Sequence, residues 1–287
     1  MGAGLIPILS LVASGIVWGF TWVPLKYFSS VGLDSHSIAV TAYAAVSLPA
    51  LPVIWRERGQ WRREATLLCV IGLFFGLANF ALTLALMTGS VVRVMLLFFL
   101  LPAWGVIGGR LFLKEVLGWR RLLAVALCLI GVFILVGGVD ALREPLSIAD
   151  GAALLAGLVY TLGGICNRAA NEIPMRSRTL ISFVGCALIG LAGLLVHQPS
   201  IPTLAFTDWA LLCLFASVWI MGATLLTTYG VTHLPASRAG VVQVIELVVA
   251  ILSAMLIGGE VLSVAEYVGS GLIVAATLVE ATSVSRD

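Results

Sequence analysis

The chain has 287 residues, of which 61% are hydrophobic and only 10% are charged. Soluble domains carry about 25% charged residues, so this composition indicates a lipid environment and excludes an ordinary soluble domain. The net charge of +2 gives no sign of a nucleic-acid partner. The five cysteines all lie in apolar runs, so we expect them to act as packing residues without a disulfide framework.

Ten apolar segments follow one another along the chain, and we number them spans 1 to 10. A helix of roughly 20 apolar residues crosses a bilayer core of about 30 Å. The segments are residues 5–27, 35–55, 65–87, 90–113, 119–139, 148–168, 177–197, 207–230, 236–258 and 263–282. The connections are short, often four to eight residues. Span 1 has no basic region before it, so we interpret it as a membrane span and not as a cleaved signal peptide.

The distribution of Lys and Arg predicts the topology. With the N-terminus in the cytoplasm, 13 of the 16 basic residues lie at cytoplasmic ends of spans. The other three are Lys26, Arg93 and Arg143. Because cytoplasmic loops are enriched in Lys and Arg, both termini are predicted to be cytoplasmic, which requires an even number of spans.

A shift of 145 residues aligns the chain with itself. Arg93 then falls on Arg238, and Glu115-Val116-Leu117 falls on Glu260-Val261-Leu262. Two halves of five spans follow, and an odd number of spans inverts the second half relative to the first. Inverted repeats are typical of secondary transporters, in which two halves rock about a site near the bilayer midplane.

These residues resemble a known family. Trp18-Gly19 and Lys26 in span 1, with hairpins that carry Lys114-Glu115 and Gly259-Glu260, are similar to the EamA-type drug/metabolite transporters. Within that superfamily the chain most resembles the YddG-type exporters of aromatic amino acids. The resemblance implies a bacterial inner-membrane protein that moves amino acids or similar metabolites outward.

The predicted fold is therefore an all-α integral membrane protein. Its ten transmembrane helices form two inverted five-helix, EamA-like repeats around a central cavity, with repeats at residues 1–139 and 148–282.

Span 9 contains two polar residues near its middle. Gln243 and Glu246 are three residues apart and so share one helical face. A carboxylate at that depth costs several kcal/mol unless it faces protein or water, so Glu246 is predicted to bind a substrate ammonium group or carry a proton. A structural hydrogen bond to a neighbouring helix is the alternative for both residues.

Further candidates come from pseudo-symmetry. The 145-residue shift pairs Gln243 with Phe98 and Glu246 with Leu101, so Phe98 and Leu101 are expected to line the opposite wall. Asn79 in span 3 needs polar partners, which a wet cavity or a neighbouring helix would supply. The same shift pairs it with Thr224.

Three mid-span aromatic residues, Trp22, Tyr160 and Trp219, are candidates for an apolar box around a ring-bearing substrate. Ordinary packing is the alternative for each.

Four residues are candidate hinges that would let the halves rock: Pro24, Pro102, Gly163 and Gly164. The alternative is that these residues serve close helix packing, as small residues do in membrane bundles.

The motifs of other function classes are missing from the sequence. No HExxH or GxSxG motif is present, and the Asp and His residues fall in loops or at span ends, so no catalytic or metal site is predicted. A sugar-phosphate or nucleotide-sugar carrier would need deep Lys or Arg for phosphate, whereas the deepest charge here is negative. An exporter of hydrophobic or cationic drugs remains an open alternative to amino acid export. No cofactor is predicted, and the expected partners are the lipid bilayer and a small substrate, with the protein acting as a monomer.

Overall fold

The computed structural model describes residues 5–101, 103–105, 107, 118–136, 146–170, 172–197, 204–234 and 236–283. Regular structure in these residues is helical. The helices are α1 Leu5–Gly19, α2 Trp22–Ser30, α3 Ser35–Arg56, α4 Arg58–Trp61, α5 Ala65–Thr88, α6 Val91–Phe98, α7 Trp119–Val136, α8 Ile148–Ala169, α9 Met175–His197, α10 Phe206–Leu214, α11 Met221–His233, α12 Ala236–Leu256 and α13 Val264–Ser283.

Six helical stretches are long and apolar enough to cross a membrane. They are Leu5–Ser30, Ser35–Arg56, Arg58–Thr88, Ile148–Asn167, Met175–Val196 and Phe206–Val231. Shorter apolar helices occur in the other four predicted spans. Many large apolar side chains face outward, among them Phe206 at 86% exposure, which suits a protein embedded in lipid. The protein is therefore a multi-pass membrane protein, and the full count of ten spans stays a prediction.

Helix starts follow local capping chemistry. The Asp34 carboxylate accepts a hydrogen bond from the Ser37 N–H at 2.7 Å and begins α3. At the start of α8, the Ser147 hydroxyl accepts from the Asp150 N–H while the Asp150 carboxylate accepts from the Ser147 N–H. This reciprocal capping box satisfies two backbone donors that the first helical turn leaves open.

Span 1 is broken between α1 and α2 at Phe20 and Thr21. Pro24 has no N–H to donate to the Phe20 carbonyl four residues earlier, and that carbonyl accepts from the Val23 N–H at 3.0 Å instead. A tighter turn therefore replaces one turn of α-helix. The break therefore lies one turn before Pro24, and whether Pro24 acts as a hinge stays a prediction.

Span 8 contains an irregularity that the sequence did not predict. Phe215–Ile220, between α10 and α11, forms a π-helical segment. Such wide turns insert an extra residue into a helix and are frequent at functional sites. Here the segment presents Trp219 toward span 1, because the Trp219 indole donates to Thr21.

Two pairs of corresponding helices, one from each half, meet end to start. The Glu260 carboxylate, just after α12, accepts a hydrogen bond from the Val91 N–H at 2.7 Å, so the end of span 9 lies beside the start of span 4. The Ser177 hydroxyl at the start of α9 donates to Glu57 after α3 at 2.6 Å, so the start of span 7 lies beside the end of span 2. These contacts are expected where paired spans run antiparallel, and the inversion of the whole second half stays a prediction.

One end of the bundle carries three polar connections between the halves, and we call it the Lys26 face. At this face Tyr27 donates to Asp208, Arg93 pairs with Asp150, and Glu260 caps α6. Lys26 itself donates to the Gly89 carbonyl at 2.8 Å. The three connections hold the ends of spans 1, 4, 6, 8 and 9 together.

Candidate functional site

A small cavity lies inside the bundle between helices of both halves. Its volume of about 20 Å³ is enough for roughly one water molecule. An amino acid or drug would therefore fit only if the halves move apart. The lining residues are Trp18, Thr21, Leu25, Tyr43, Asn79, Leu82, Thr83, Leu86, Met95 and Glu246.

Helical periodicity explains most of this lining. On α5, the residues that face the cavity are Asn79, Leu82, Thr83 and Leu86, and their spacing of three and four residues places them on one helix face. Across the break in span 1, Trp18, Thr21 and Leu25 follow the same spacing. These two sets of residues, from α5 and from span 1, therefore face the same cavity as Tyr43 of α3.

Glu246 is the only charged side chain among the described lining residues, and it comes from the second half of the chain. Two glycines of α1 let its backbone approach. A Cβ atom on Gly15 would lie 3.2 Å from the Glu246 nitrogen, and one on Gly19 would lie 2.9 Å from the Glu246 carbonyl oxygen. Close helix contact through small residues is common in membrane bundles, and here it fixes the backbone that carries the acid.

A polar cluster on α3 and α5 shares the cavity with the acid. The Tyr43 hydroxyl donates to Asn79 Oδ1 at 3.4 Å, which is a long hydrogen bond. Asn79 Nδ2 donates to the Phe75 carbonyl at 2.8 Å. Thr83 lies beside Tyr43. These groups are neutral, so the cavity combines one acid with uncharged donors and acceptors.

Three indole N–H groups connect span 1 to spans 8 and 9. Trp18 donates to Thr227 Oγ1 at 3.2 Å, and Trp219 donates to Thr21 Oγ1 at 3.0 Å. These two bonds join span 1 near its break to span 8, one from within the π-helical turn and one after it. Trp22 donates to Ser253 Oγ of α12 at 2.9 Å. Each indole N–H therefore donates to a hydroxyl that lies in a different span from the tryptophan itself.

An aromatic cluster borders the acid. Tyr160 packs edge-on against Phe75 and Phe98, with ring centroids 5.4 and 5.7 Å apart. Tyr160 also lies close enough to Glu246 to sense its charge. Tyr160 is 37% exposed, so these neighbours cover only part of its ring.

Known proteins match this sequence and this architecture. The model of the EamA-like transporter family matches residues 5–137 and again residues 147–281. The chain belongs to the EamA-like transporter family. It consists of two EamA repeats, and membership makes it a membrane transporter of small molecules.

A solved structure supports the fold of this EamA-like transporter. That structure, described only as "Crystal structure of protein", is 17% identical and matches over 96% of this chain and 95% of its own, with a TM-score of 0.60. At this identity the likeness shows the fold alone. No curated protein matches the chain.

The structure brings some of the predicted site residues together and separates others. Asn79 and Glu246 line the cavity. Phe98 and Tyr160 belong to the aromatic cluster. Trp219 lies behind Thr21, and Trp22 is 7% exposed and bonded to Ser253. Half-buried positions outside the lining are occupied by Leu101, Thr224 and Gln243.

The predicted hinges have different surroundings. Pro24 causes the break in span 1, whereas α8 continues as a helix through Gly163 and Gly164. Gly163 packs against the Phe75 ring, and Gly164 has open space around its Cα. Pro102 lies outside the described residues.

The sequence did not single out Tyr43, Thr21 or Thr83 as lining residues. Tyr and Thr occur routinely in membrane helices, so neither residue type marks a cavity. The α5 stripe was a usable signal, because Thr83 follows Asn79 by one turn. Span 2 therefore contributes to the site through Tyr43, while spans 6 and 8 supply none of the described lining residues. Nor does any group of three His, Cys, Asp or Glu within the described ranges form a candidate metal site.

Proposed function

We propose that this EamA-like transporter is a secondary carrier that exports amino acids, aromatic and other neutral ones first, by alternating access. The observation that carries the proposal is the carboxylate of Glu246, the one charged group among the described lining residues of the small cavity between the two halves. In a low-dielectric site a carboxylate is stabilised by an opposite charge, and the ammonium group of an amino acid provides one.

The surroundings of the acid favour an amino acid over a phosphate ester. No Lys or Arg lies among the described lining residues. Among the described residues of the Lys26 face, Lys26 donates to the Gly89 carbonyl and Arg93 pairs with Asp150, so both basic groups already have partners. A phosphate would meet the Glu246 charge without a cation to compensate it, whereas an ammonium group would be attracted. This favours the amino acid over the sugar-phosphate alternative.

The aromatic cluster supports a ring-bearing substrate. Tyr160, which lies near Glu246, packs edge-on against Phe75 and Phe98. Offset and edge-to-face ring pairs contribute about 0.5–1.5 kcal/mol beyond burial of area. This proposal also includes a relationship to the YddG-type exporters, an inner-membrane location, cytoplasmic termini and ten spans. These four parts of the proposal rest on the EamA fold and on the distribution of Lys and Arg in the sequence.

A hydrophobic cation is the second candidate substrate. The same carboxylate and aromatic rings would bind an organic cation by charge and cation–π attraction. The two substrate classes differ in one group, because only the amino acid carries a carboxylate.

The experiment is uptake into proteoliposomes that contain the purified protein. Labelled L-phenylalanine, a labelled sugar phosphate and a labelled lipophilic cation are tested in parallel. We expect uptake of phenylalanine, and we expect Glu246→Gln to reduce it at least tenfold because the counter-charge is lost. Glu172→Gln, at an exposed residue of the loop after α8, is the matched control and should transport normally.

Transport of the sugar phosphate without phenylalanine would refute the substrate assignment. If Glu246 also carries a proton, the Glu246→Gln variant should lose the pH dependence of its residual transport. Unchanged pH dependence would show that the proton is carried elsewhere or not at all.

A further inference from the structure

The neutral polar cluster faces the same small space as Glu246 but comes from the other half of the chain. Tyr43 lies on α3, and Asn79 and Thr83 lie one turn apart on α5. Tyr43 and Thr83 are each 4% exposed, so their hydroxyls are shielded from bulk solvent. Buried polar groups are costly unless they are hydrogen-bonded, which makes this cluster a place where a polar ligand group would be stabilised.

The Tyr43 hydroxyl accepts a hydrogen bond from Thr83, but its own proton is only weakly engaged. The Tyr43 hydroxyl reaches Asn79 Oδ1 at 3.4 Å, near the limit of a hydrogen bond. Asn79 uses one N–H for the Phe75 carbonyl at 2.8 Å, and its amide group has a second N–H. Exchange of the long Tyr43 bond for a ligand oxygen would therefore cost little.

The position of the Tyr43 ring is fixed by packing. Its centroid lies 6.1 Å from that of Phe183 on α9, and the side chain is almost fully buried. Held in this way, the hydroxyl is pre-organised toward the cavity, and a ligand would not have to order it. Pre-organisation of this kind improves affinity because less conformational freedom is lost on binding.

We infer that Tyr43, Asn79 and Thr83 form a subsite for the substrate carboxylate, opposite Glu246, so that the carrier recognises a zwitterion at both ends. This inference rests on the proposed amino acid substrate and deepens it. Hydrogen bonds from neutral O–H and N–H groups to a carboxylate are charge-assisted and about twice as strong as neutral ones. A carboxylate can thus be held in this cavity without Lys or Arg.

The arrangement has a consequence for transport. Glu246 belongs to α12 of the second half, and the three neutral residues belong to the first half. A zwitterion between them contacts both halves at once, whereas an amine contacts only the acid strongly. The bound amino acid therefore links the two halves more strongly than its amine does.

The test compares L-phenylalanine with phenethylamine, which is the same molecule without its carboxylate. Binding of each to the purified full-length protein in detergent is measured by calorimetry for the wild type, Tyr43→Phe and Thr83→Val. We expect the wild type to bind phenylalanine at least tenfold more tightly, as a hydrogen bond to a charged group implies. Tyr43→Phe should lower that ratio severalfold and leave phenethylamine affinity unchanged. Thr83→Val is expected to act in the same direction.

The result is the ratio of the two affinities, for phenylalanine and for phenethylamine, and this ratio does not depend on the fraction of folded protein. Equal affinities for both ligands in the wild type would overturn the carboxylate subsite, as would Tyr43→Phe weakening both ligands equally. In either case amino acid binding itself would stand. Binding of phenethylamine alone, with no phenylalanine binding, would overturn both the subsite and the proposed amino acid substrate.

Discussion

Helices α5 and α9 touch through their backbones at Gly76, and this contact gives a sharp prediction. A Cβ atom added at Gly76 would lie 2.5 Å from the Cys186 nitrogen and 2.8 Å from the Gly185 Cα. Ordinary contacts between carbon atoms are about 3.5–4.0 Å. The Gly76→Ala variant can therefore form only if α5 and α9 separate by about 1 Å.

The size of the effect follows from that displacement. Neither neighbouring atom belongs to a flexible side chain, so the clash cannot be relieved by a change of rotamer. Forcing extra atoms into a well-packed interior costs typically about 1–3 kcal/mol. Since α3 packs extensively on α9, α5 would also move away from α3, and the 3.4 Å contact between Tyr43 and Asn79 would exceed hydrogen-bonding range.

The assay is thermal unfolding in detergent combined with proteoliposome uptake of phenylalanine. Gly76→Ala should unfold at a lower temperature and should require a higher substrate concentration for half-maximal transport. The matched control is Gly271→Ala within α13, where an added Cβ meets nothing within 4 Å. If Gly76→Ala unfolds and transports like Gly271→Ala, the argument from close backbone contact is wrong.

Two further predictions concern bonds between the halves. Trp219→Phe removes the donor to Thr21 Oγ1 and should destabilise the protein by about 0.6–1.5 kcal/mol. Thermal unfolding of Trp219→Phe, Thr21→Val and the double variant should show that the two losses of stability are not additive. Simple additivity of these losses would contradict the hydrogen bond. Arg93→Ala should lower the unfolding temperature because it leaves Asp150, whose side chain is 6% exposed, without its cation. Adding Asp150→Asn should restore part of that loss, since Asn can still cap α8, and a further loss would argue against the pair.

The sequence predicted the fold where a pattern had a single physical meaning. Span 2 was predicted at residues 35–55, and α3 is Ser35–Arg56; a long apolar run between polar caps leaves little choice of boundary. Pro24 predicted a kink because a missing N–H has a fixed consequence. The π-helical turn at Phe215–Ile220 was not predicted, because no residue type specifies an i→i+5 bond. Span 4 was predicted at residues 90–113; α6 ends at Phe98 and residues 103–105 are again helical, while much of the rest lies outside the described residues.

The candidate site was partly predictable for a similar reason. Asn79 and Glu246 stand out because amide and carboxylate groups are expensive in lipid, and both line the cavity. Trp22 and Trp219 were chosen as aromatic residues, but their indoles are bonded to Ser253 and Thr21. Tertiary partners decide whether a tryptophan faces a ligand or a neighbouring helix, and one sequence does not contain that information.

At the Lys26 face, the hydrogen-bond acceptors and the donors that connect the halves come from different halves of the chain. Asp150, Asp208 and Glu260, which all belong to the second half, supply the acceptors, while the donors from the first half are Arg93, Tyr27 and the backbone at Val91. The contacts of Tyr27 with Asp208 and of Ser90 with Glu260 are exposed. In the proposed transport cycle, Asp208 and Glu260 can exchange these donors for water when this end of the bundle separates. Breaking these two exposed contacts then costs little free energy and is expected to respond to ionic strength, whereas the buried Asp150 would have to keep Arg93 or gain water.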